Sequence, residues 1–366
     1  MPAATRAPFA RQGPRRAVVI GAGSFGTATA VLLARGGLRT TLQTRTPEQA
    51  ERLQAARENV EYLPGVELPV DLRIDSVTAG LERFDLIFLA VPSRGLHDVI
   101  ADLERRGLQR RAAIVSLAKG LVPPDGRPPS RLLGDLVGEA RVAVVAGPAH
   151  AQEMVNAGAG LVVASSDEQL AALVARLFTR GGVICERSND PVGVELAGAA
   201  KNAAALASGA TEAQGLNAAG AAAGHIFQEV WRFAEAQGAR PESMIGLAGT
   251  GDLVATALAA GSRNRRAGEL LAAGMPAAEI PGAIGQAVES LESVPMLAHA
   301  LERAGVEAPV TSGLARLISG ELPLDQWVAL VRATVPPPAR WRVRRGFWRR
   351  LWARITFARR RGELTA

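Results

Sequence analysis

A chain of 366 residues is long for one domain, and a length prior of about 150 residues each suggests two. Hydrophobic residues make up 48% but aromatics only 4%, so cores of Ala, Val and Leu are expected; the single cysteine, Cys185, excludes an internal disulfide and suits a reducing cytosol. The net charge of +7 is concentrated: residues 340–366 hold ten Arg and one Glu, net +9, leaving −2 for the preceding 339 residues, so the basicity says nothing about what the core binds.

Residues 1–15 read as a basic, flexible extension without the apolar stretch of a secretory leader. No run approaches the roughly 18 uncharged apolar residues that a spanning helix needs, and a cytoplasmic location is expected. The apolar run AVVI (17–20) stops at GAGSFGTATAVLLARGG, which reads as a strand, a glycine turn and a helix ended by Gly36 and Gly37. A second strand, LRTTLQT, precedes the helical pattern TPEQAERLQAARE. Further buried-type strands are expected at 84–91, 112–118, 141–147 and 159–165, with helical segments between most of them. Such alternation predicts a parallel sheet covered on both faces. After Asp190 strand signals stop, and alanine-rich helices run to about residue 334 with breaks at Gly209, Gly238 and Gly261. The expected class is α/β over 16–192, followed by an all-α domain over 193–334 and an Arg/Trp-rich tail over 335–366.

GAGSFG places Gly21, Gly23 and Gly26 directly after a strand and at the opening of a helix, the context a dinucleotide fingerprint requires. Gly21 permits the tight turn, Gly23 a close approach of backbone to pyrophosphate, and Gly26 close helix–strand packing. The helix N-terminus adds N–H donors and a positive dipole end. A turn that binds nothing is the plainer reading of a lone fingerprint; the flanking strands and helix favour the nucleotide. At the tip of the second strand, LQTRTPEQ offers no acid for a ribose 2′-hydroxyl, whereas Arg45 just past it suits a 2′-phosphate. This favours NADP over NAD, although an exposed turn arginine would look the same.

ELAGAAKNAAALASGA (195–210) carries one charge, Lys201, between Glu195 and Glu212. A helix so apolar belongs in a core, where an unpaired ammonium is costly. Either the lysine stem snorkels to the surface or the amine has a use. The residues alone leave both open.

Several further motifs, in order, resemble the bacterial NAD(P)-dependent glycerol-3-phosphate dehydrogenases over roughly residues 16–330. They are NVEYLPGVELP (59–69), LAVPSRGL (89–96), SLAKGL (116–121), AGPAHAQEM (146–154), NDPVGVELAGAAKN (189–202), GLAGTGDLVAT (246–256), SRNRRAGELL (262–271) and IGQAVES (284–290). The resemblance implies a Rossmann-type dinucleotide-binding domain followed by a helical substrate domain. It also implies reduction of dihydroxyacetone phosphate to sn-glycerol 3-phosphate, feeding phospholipid synthesis. Lys201 becomes the general acid/base, which the chemistry supports: burial and a neighbouring cation both lower a lysine's pKa from about 10.4 toward working pH. Lys119 becomes a substrate and cofactor contact, and Asp252 the carboxylate that orients the ammonium groups. Ser262, Arg263 and Asn264 head a helix and suit a phosphate, with Asn202 and Gly147 also at the substrate. Cofactor contacts carried over are Gly21, Gly23, Ser24, Phe25 and Gly26, with Lys119, Ala151, Arg263 and Glu289 beyond the loop, beside the Arg45 read from the strand tip. No metal is expected, because His97, His225 and His299 have no ligand spacing.

The chain departs from the family pattern where Gly-Pro-Ser-Phe-Ala becomes Gly147-Pro148-Ala149-His150-Ala151. It departs again where Asn-x-Lys/Arg becomes Asn217-Ala218-Ala219, where an arginine becomes His225, and where a Thr-Cys-Thr-Ser run becomes Thr256-Ala257-Leu258. These changes leave room for a related reductase of another small phosphorylated or acidic ketone, or for a catalytically silent nucleotide-binding protein held through its tail. Retention of Lys119, Lys201, Asp252, Arg263 and Asn264 favours the dehydrogenase. A homodimer is left open.

Residues 340–361 lie beyond the resemblance. On a helix, Phe347, Trp348, Leu351, Trp352 and Ile355 share one side and Arg349, Arg350 and Arg354 lie mainly opposite, with Arg344 and Arg359 intruding on the apolar side. That pattern favours attachment to an anionic membrane surface at its inner face. A solvated tail is the alternative, and nucleic acid the less favoured partner.

Overall fold

The computed structural model describes residues 16–259 and 261–335. The expectations for residues 1–15 and for the tail at 340–361 lie outside the described residues.

The N-terminal half runs β1 (Arg16–Ile20), α1 (Ser24–Arg35), β2 (Arg39–Thr44), α2 (Pro47–Ala56), β3 (Glu58–Asn59), β4 (Leu63–Glu67), β5 (Arg73–Ser76), β6 (Leu86–Leu89), α3 (Leu96–Arg105), β7 (Ala113–Ser116), α4 (Pro129–Val137), β8 (Val142–Ala146), α5 (Ala151–Asn156), β9 (Gly160–Ala164), α6 (Glu168–Arg180) and β10 (Ile184–Ser188). Eight strands form one sheet in the order β10-β9-β8-β7-β6-β1-β2-β5, and β3 pairs with β4 alone. The helical half follows as α7 (Pro191–Thr211), α8 (Leu216–Ala236), α9 (Pro241–Ile245), α10 (Asp252–Leu258), α11 (Arg263–Ala272), α12 (Ile280–Ile284), α13 (Glu289–Arg303), α14 (Pro309–Ile318) and α15 (Leu324–Ala333). This is a Rossmann-like α/β domain with a helical C-terminal domain.

The sheet is parallel as expected except at one pair. β8 and β9 are antiparallel, with Val145 opposite Val163, while β9 and β10 are parallel to each other. The six-residue α5 is too short to carry the chain back across a strand's length, so β9 starts beside the end of β8. At that corner Gly147 has φ +124, and a Cβ there would lie 2.6 Å from the Gly160 carbonyl oxygen. The reversal has a consequence for the site. β10 ends at the far edge of the sheet, so the 21-residue α7, about 31 Å long, rises back beside β8. Lys201, midway along it, arrives at the edge where β1, β6 and β7 end.

α7 is capped by Asp190, whose Oδ1 accepts from Gly193 N at 2.8 Å, with Pro191 in the first turn. It does not break at Gly209. A Cβ there would collide with the Arg265 carbonyl, and one at Gly268 with that of Leu206, so the two glycines let α7 and α11 cross at close range. One apolar cluster fills the sheet face under α1 and α6, including Leu32, Leu42 and Phe178. A second lies on the opposite face around Ile20, Ile87 and Leu96. A third joins Val144 and Val162 of the sheet to Val194, Leu196 and Ala200 of α7 and to the other helices.

Candidate functional site

The glycine loop divides its labour between packing and access. A Cβ on Gly21 (φ +110) would collide with the Ala90 carbonyl oxygen, and one on Gly26 with the Gly21 carbonyl. Around Gly23 a Cβ meets nothing, which leaves backbone open to a ligand. The first turn of α1, with Ser24 and Phe25, carries no acid and no side-chain cap, so its N–H groups suit phosphate oxygens. A dinucleotide's pyrophosphate therefore fits this cradle.

Lys201 is only 4% exposed, and its Nζ lies 3.1 Å from Asp252 Oδ2. Lys119 Nζ stands 4.0 Å from the same oxygen. It also sits 5.7 Å above the Phe25 ring, which connects the lysine pair to the glycine loop. Burial, and next the Lys119 charge, push the Lys201 pKa down from 10.5 to about 8, while Asp252 and Glu289 pull the other way. Asp252 opens α10 directly after a π-helical turn, Leu247–Gly251, of a kind frequent at functional sites.

Next to Lys201 on α7, Asn202 accepts at Oδ1 from Asn264 Nδ2 of α11 at 2.9 Å. Asn202 is 1% exposed, and its own Nδ2 has no partner, a donor left for something else. Ser262 caps α11, its Oγ accepting from Arg265 N at 3.3 Å. Arg263 is exposed and donates to the Ala287 carbonyl at 3.2 Å. Glu289, exposed at the start of α13, is close enough to act on the Lys201 charge.

The structure thus joins Phe25, Lys119, Asp252 and Lys201 through direct contacts, and pairs Asn264 with Asn202, the residue after Lys201 on α7. Arg45 is exposed just past β2 with no contact to this group. Gly147 and Ala151 sit at the β8–α5 corner and have no side chains that reach it. Among the described residues no group of His, Cys, Asp or Glu could hold a metal.

Several supporting residues escaped the sequence reading. Asn59 bonds the glycine loop; Glu195 accepts from Ser130 N at 2.8 Å and Ser130 Oγ at 2.5 Å. Glu229 accepts from Thr311 N at 2.8 Å at the start of α14. Asn59 and Glu195 lie inside quoted motifs, but their partners are distant in sequence and invisible there.

Fold and geometry together define a Rossmann-type dinucleotide-binding protein completed by a helical domain whose Asp252 ties the buried Lys201 to Lys119, the lysine beside the glycine loop. Residues 16–172 match the family NAD-dependent glycerol-3-phosphate dehydrogenase N-terminus, and residues 190–329 match its C-terminus. The glycerol-3-phosphate dehydrogenase [NAD(P)+] of Deinococcus radiodurans is 39% identical over 310 residues, 83% of this chain and 90% of that one. That of Pseudomonas fluorescens is 36% identical over 331 residues, 88% and 95% respectively. The crystal structure of glycerol-3-phosphate dehydrogenase from Coxiella burnetii superposes with a TM-score of 0.82 at 30% identity, covering 87% of this chain and 99% of that one. The chain belongs to the NAD-dependent glycerol-3-phosphate dehydrogenase family.

Proposed function

We propose that this chain reduces dihydroxyacetone phosphate to sn-glycerol 3-phosphate with NADPH or NADH, with Lys201 as the general acid. The observation that carries this reading is the buried Lys201 ammonium, held 3.1 Å from Asp252 and opposed by Lys119. When bound, the nicotinamide supplies a hydride to the ketone carbon. The matching proton passes from Lys201 Nζ to the carbonyl oxygen, completing the alcohol. Burial and the Lys119 charge ease that loss, while Asp252 keeps the amine aimed and stabilises the charged form at rest. In the oxidative direction neutral Lys201 accepts the hydroxyl proton.

Binding of the small phosphorylated substrate falls to Arg263, Asn264 and the N-terminus of the ten-residue α11, with Asn202 Nδ2 free to donate to a substrate oxygen. In this reading 16–192 is the cofactor domain and 193–334 the substrate domain, and the product feeds phospholipid synthesis. Arg45, beyond a strand tip with no acid, supports a preference for NADP. The test is a turnover assay with dihydroxyacetone phosphate and each reduced cofactor. Oxidation of NADPH dependent on that ketone is expected, and its absence with both cofactors overturns the reading.

No helix among the described residues is long and apolar enough to cross a membrane. The Arg/Trp pattern of residues 340–361 supports peripheral attachment to anionic lipid, where the product would be consumed. Sedimentation with anionic and neutral vesicles, with and without residues 336–366, checks this. Salt-sensitive binding confined to the full chain on anionic vesicles is expected, and equal behaviour of the two forms rules the tail out. Sedimentation velocity on the same preparations tests for the homodimer.

A further inference from the structure

The stretch NVEYLPGVELP takes no part in the chemistry above, yet its first residue reaches the heart of the cofactor loop. β3 and β4 form a short antiparallel hairpin whose register is irregular at Glu58 and Asn59. Arg57 (φ +48) closes the hairpin base by donating to the carbonyls of Leu68 at 3.3 Å and Leu72 at 3.2 Å. Leu63 and Val66 anchor it in the core beneath the sheet. Gln152 of α5 holds β4, donating to the Pro64 carbonyl at 2.8 Å. The hairpin is therefore a fixed support.

What it presents is Asn59, 2% exposed, whose Nδ2 donates to the Ala22 carbonyl at 2.9 Å and to Thr27 Oγ1 at 2.8 Å. A carboxamide has two N–H donors, and these two contacts use both. Ala22 lies between Gly21 and Gly23, where the backbone is least restrained by side chains. In a planar trans peptide the carbonyl and the following N–H point to opposite sides. Fixing the Ala22 carbonyl on Asn59 thus turns the Gly23 N–H away from the hairpin, toward the side a ligand would approach. With the peptide flipped, a carbonyl oxygen would face the phosphate instead.

We propose that Asn59 is a positioning residue for the cofactor: it holds the Ala22–Gly23 peptide with its N–H toward the dinucleotide's pyrophosphate. The proposal rests on the reading of the glycine loop as the dinucleotide site. Its test is a fluorescence titration of NADPH onto the full chain, alongside steady-state kinetics and thermal melting. Asn59→Leu removes both donors and should raise the NADPH dissociation constant on the order of ten-fold or more. The KM for the phosphorylated ketone and kcat at saturating cofactor should stay within about two-fold. Asn59→Asp, which sets a carboxylate against the Ala22 carbonyl, should bind more weakly still. Thr27→Val keeps the Ala22 contact and should bind like wild type. Asn59→Ser carries the same expectation as Asn59→Leu if the larger change does not fold. An unchanged NADPH dissociation constant in Asn59→Leu or Asn59→Ser overturns the proposal, as does a rise in cofactor and substrate constants together with the loss of melting temperature. If wild type itself fails to bind either dinucleotide, the reading of the loop falls instead.

Discussion

Asp252 Oδ2 is shared by two ammonium groups, Lys201 Nζ at 3.1 Å and Lys119 Nζ at 4.0 Å, and only the first is buried. One carboxylate cannot fully offset two cations in a water-poor site, so the more deeply buried amine gives up its proton more easily. Lys201→Ala should fold and bind cofactor but lose kcat by about 10²–10⁴-fold, the usual worth of a positioned acid. Near-normal turnover would remove it from the reaction.

Asp252→Asn gives the same relationship a sign. Asp252 raises the Lys201 pKa, so losing its charge lowers that value further below about 8. Reduction needs the protonated amine. Its kcat/KM should fall as pH rises through about 8 in wild type and at lower pH in Asp252→Asn. A shared profile would show that Asp252 acts elsewhere.

Much of this was legible in the chain. The β1–α1–β2 unit follows from an apolar run, three glycines and a helix stop; the lone charge of an apolar helix singled Lys201 out but left snorkelling open, and it took the fold to bury its ammonium against Asp252. The β9 reversal was not, because GLVVA reads the same in either direction and the turn that sets it lies in Gly147 and a short helix. β5 and β10 were missed because RIDS and ICERS are polar, short and at the sheet's edges. Gly209 misled for a definite reason: its meaning comes from α11 crossing at Arg265, a contact no local window contains. Asp252 shows the same limit. GTGD reads locally as a turn, and apart from the family resemblance only the tertiary fold sets it between two lysines.

Arg263 is exposed at the head of α11, with one bond to the Ala287 carbonyl at 3.2 Å. Arg263→Ala should raise KM for the phosphorylated ketone much more than for a truncated ketone without phosphate. A lost charge-assisted contact costs about 1.5–3 kcal/mol, roughly ten-fold or more in KM. Equal effects on both substrates would assign Arg263 to the cofactor or the fold.

Arg45→Glu replaces a cation past β2 with a carboxylate that repels a 2′-phosphate and accepts from a 2′-hydroxyl. The ratio of kcat/KM for NADPH over NADH should fall by an order of magnitude or more. An unchanged ratio would mean that the 2′-phosphate is read by another residue.

Glu195 links stability to pH in a direction opposite to an ordinary surface glutamate. It is buried on α7, and burial raises its pKa from 4.5 to about 8, even though the two bonds from Ser130 favour the charged form. A carboxyl whose pKa is higher in the folded state binds its proton more tightly there. Its contribution is fully present below about 4.5 and is lost as pH rises through about 8. Each unit of difference is worth about 1.4 kcal/mol, so the loss across this window is of the order of several kcal/mol. Glu195→Gln keeps the size, can still accept from Ser130 N, and cannot ionise. Thermal melting from pH 5 to pH 9 should show wild type falling relative to Glu195→Gln, with the variant the more stable of the two above pH 8. Parallel curves would mean that Glu195 is ionised throughout, with its bonds to Ser130 outweighing the cost of burial.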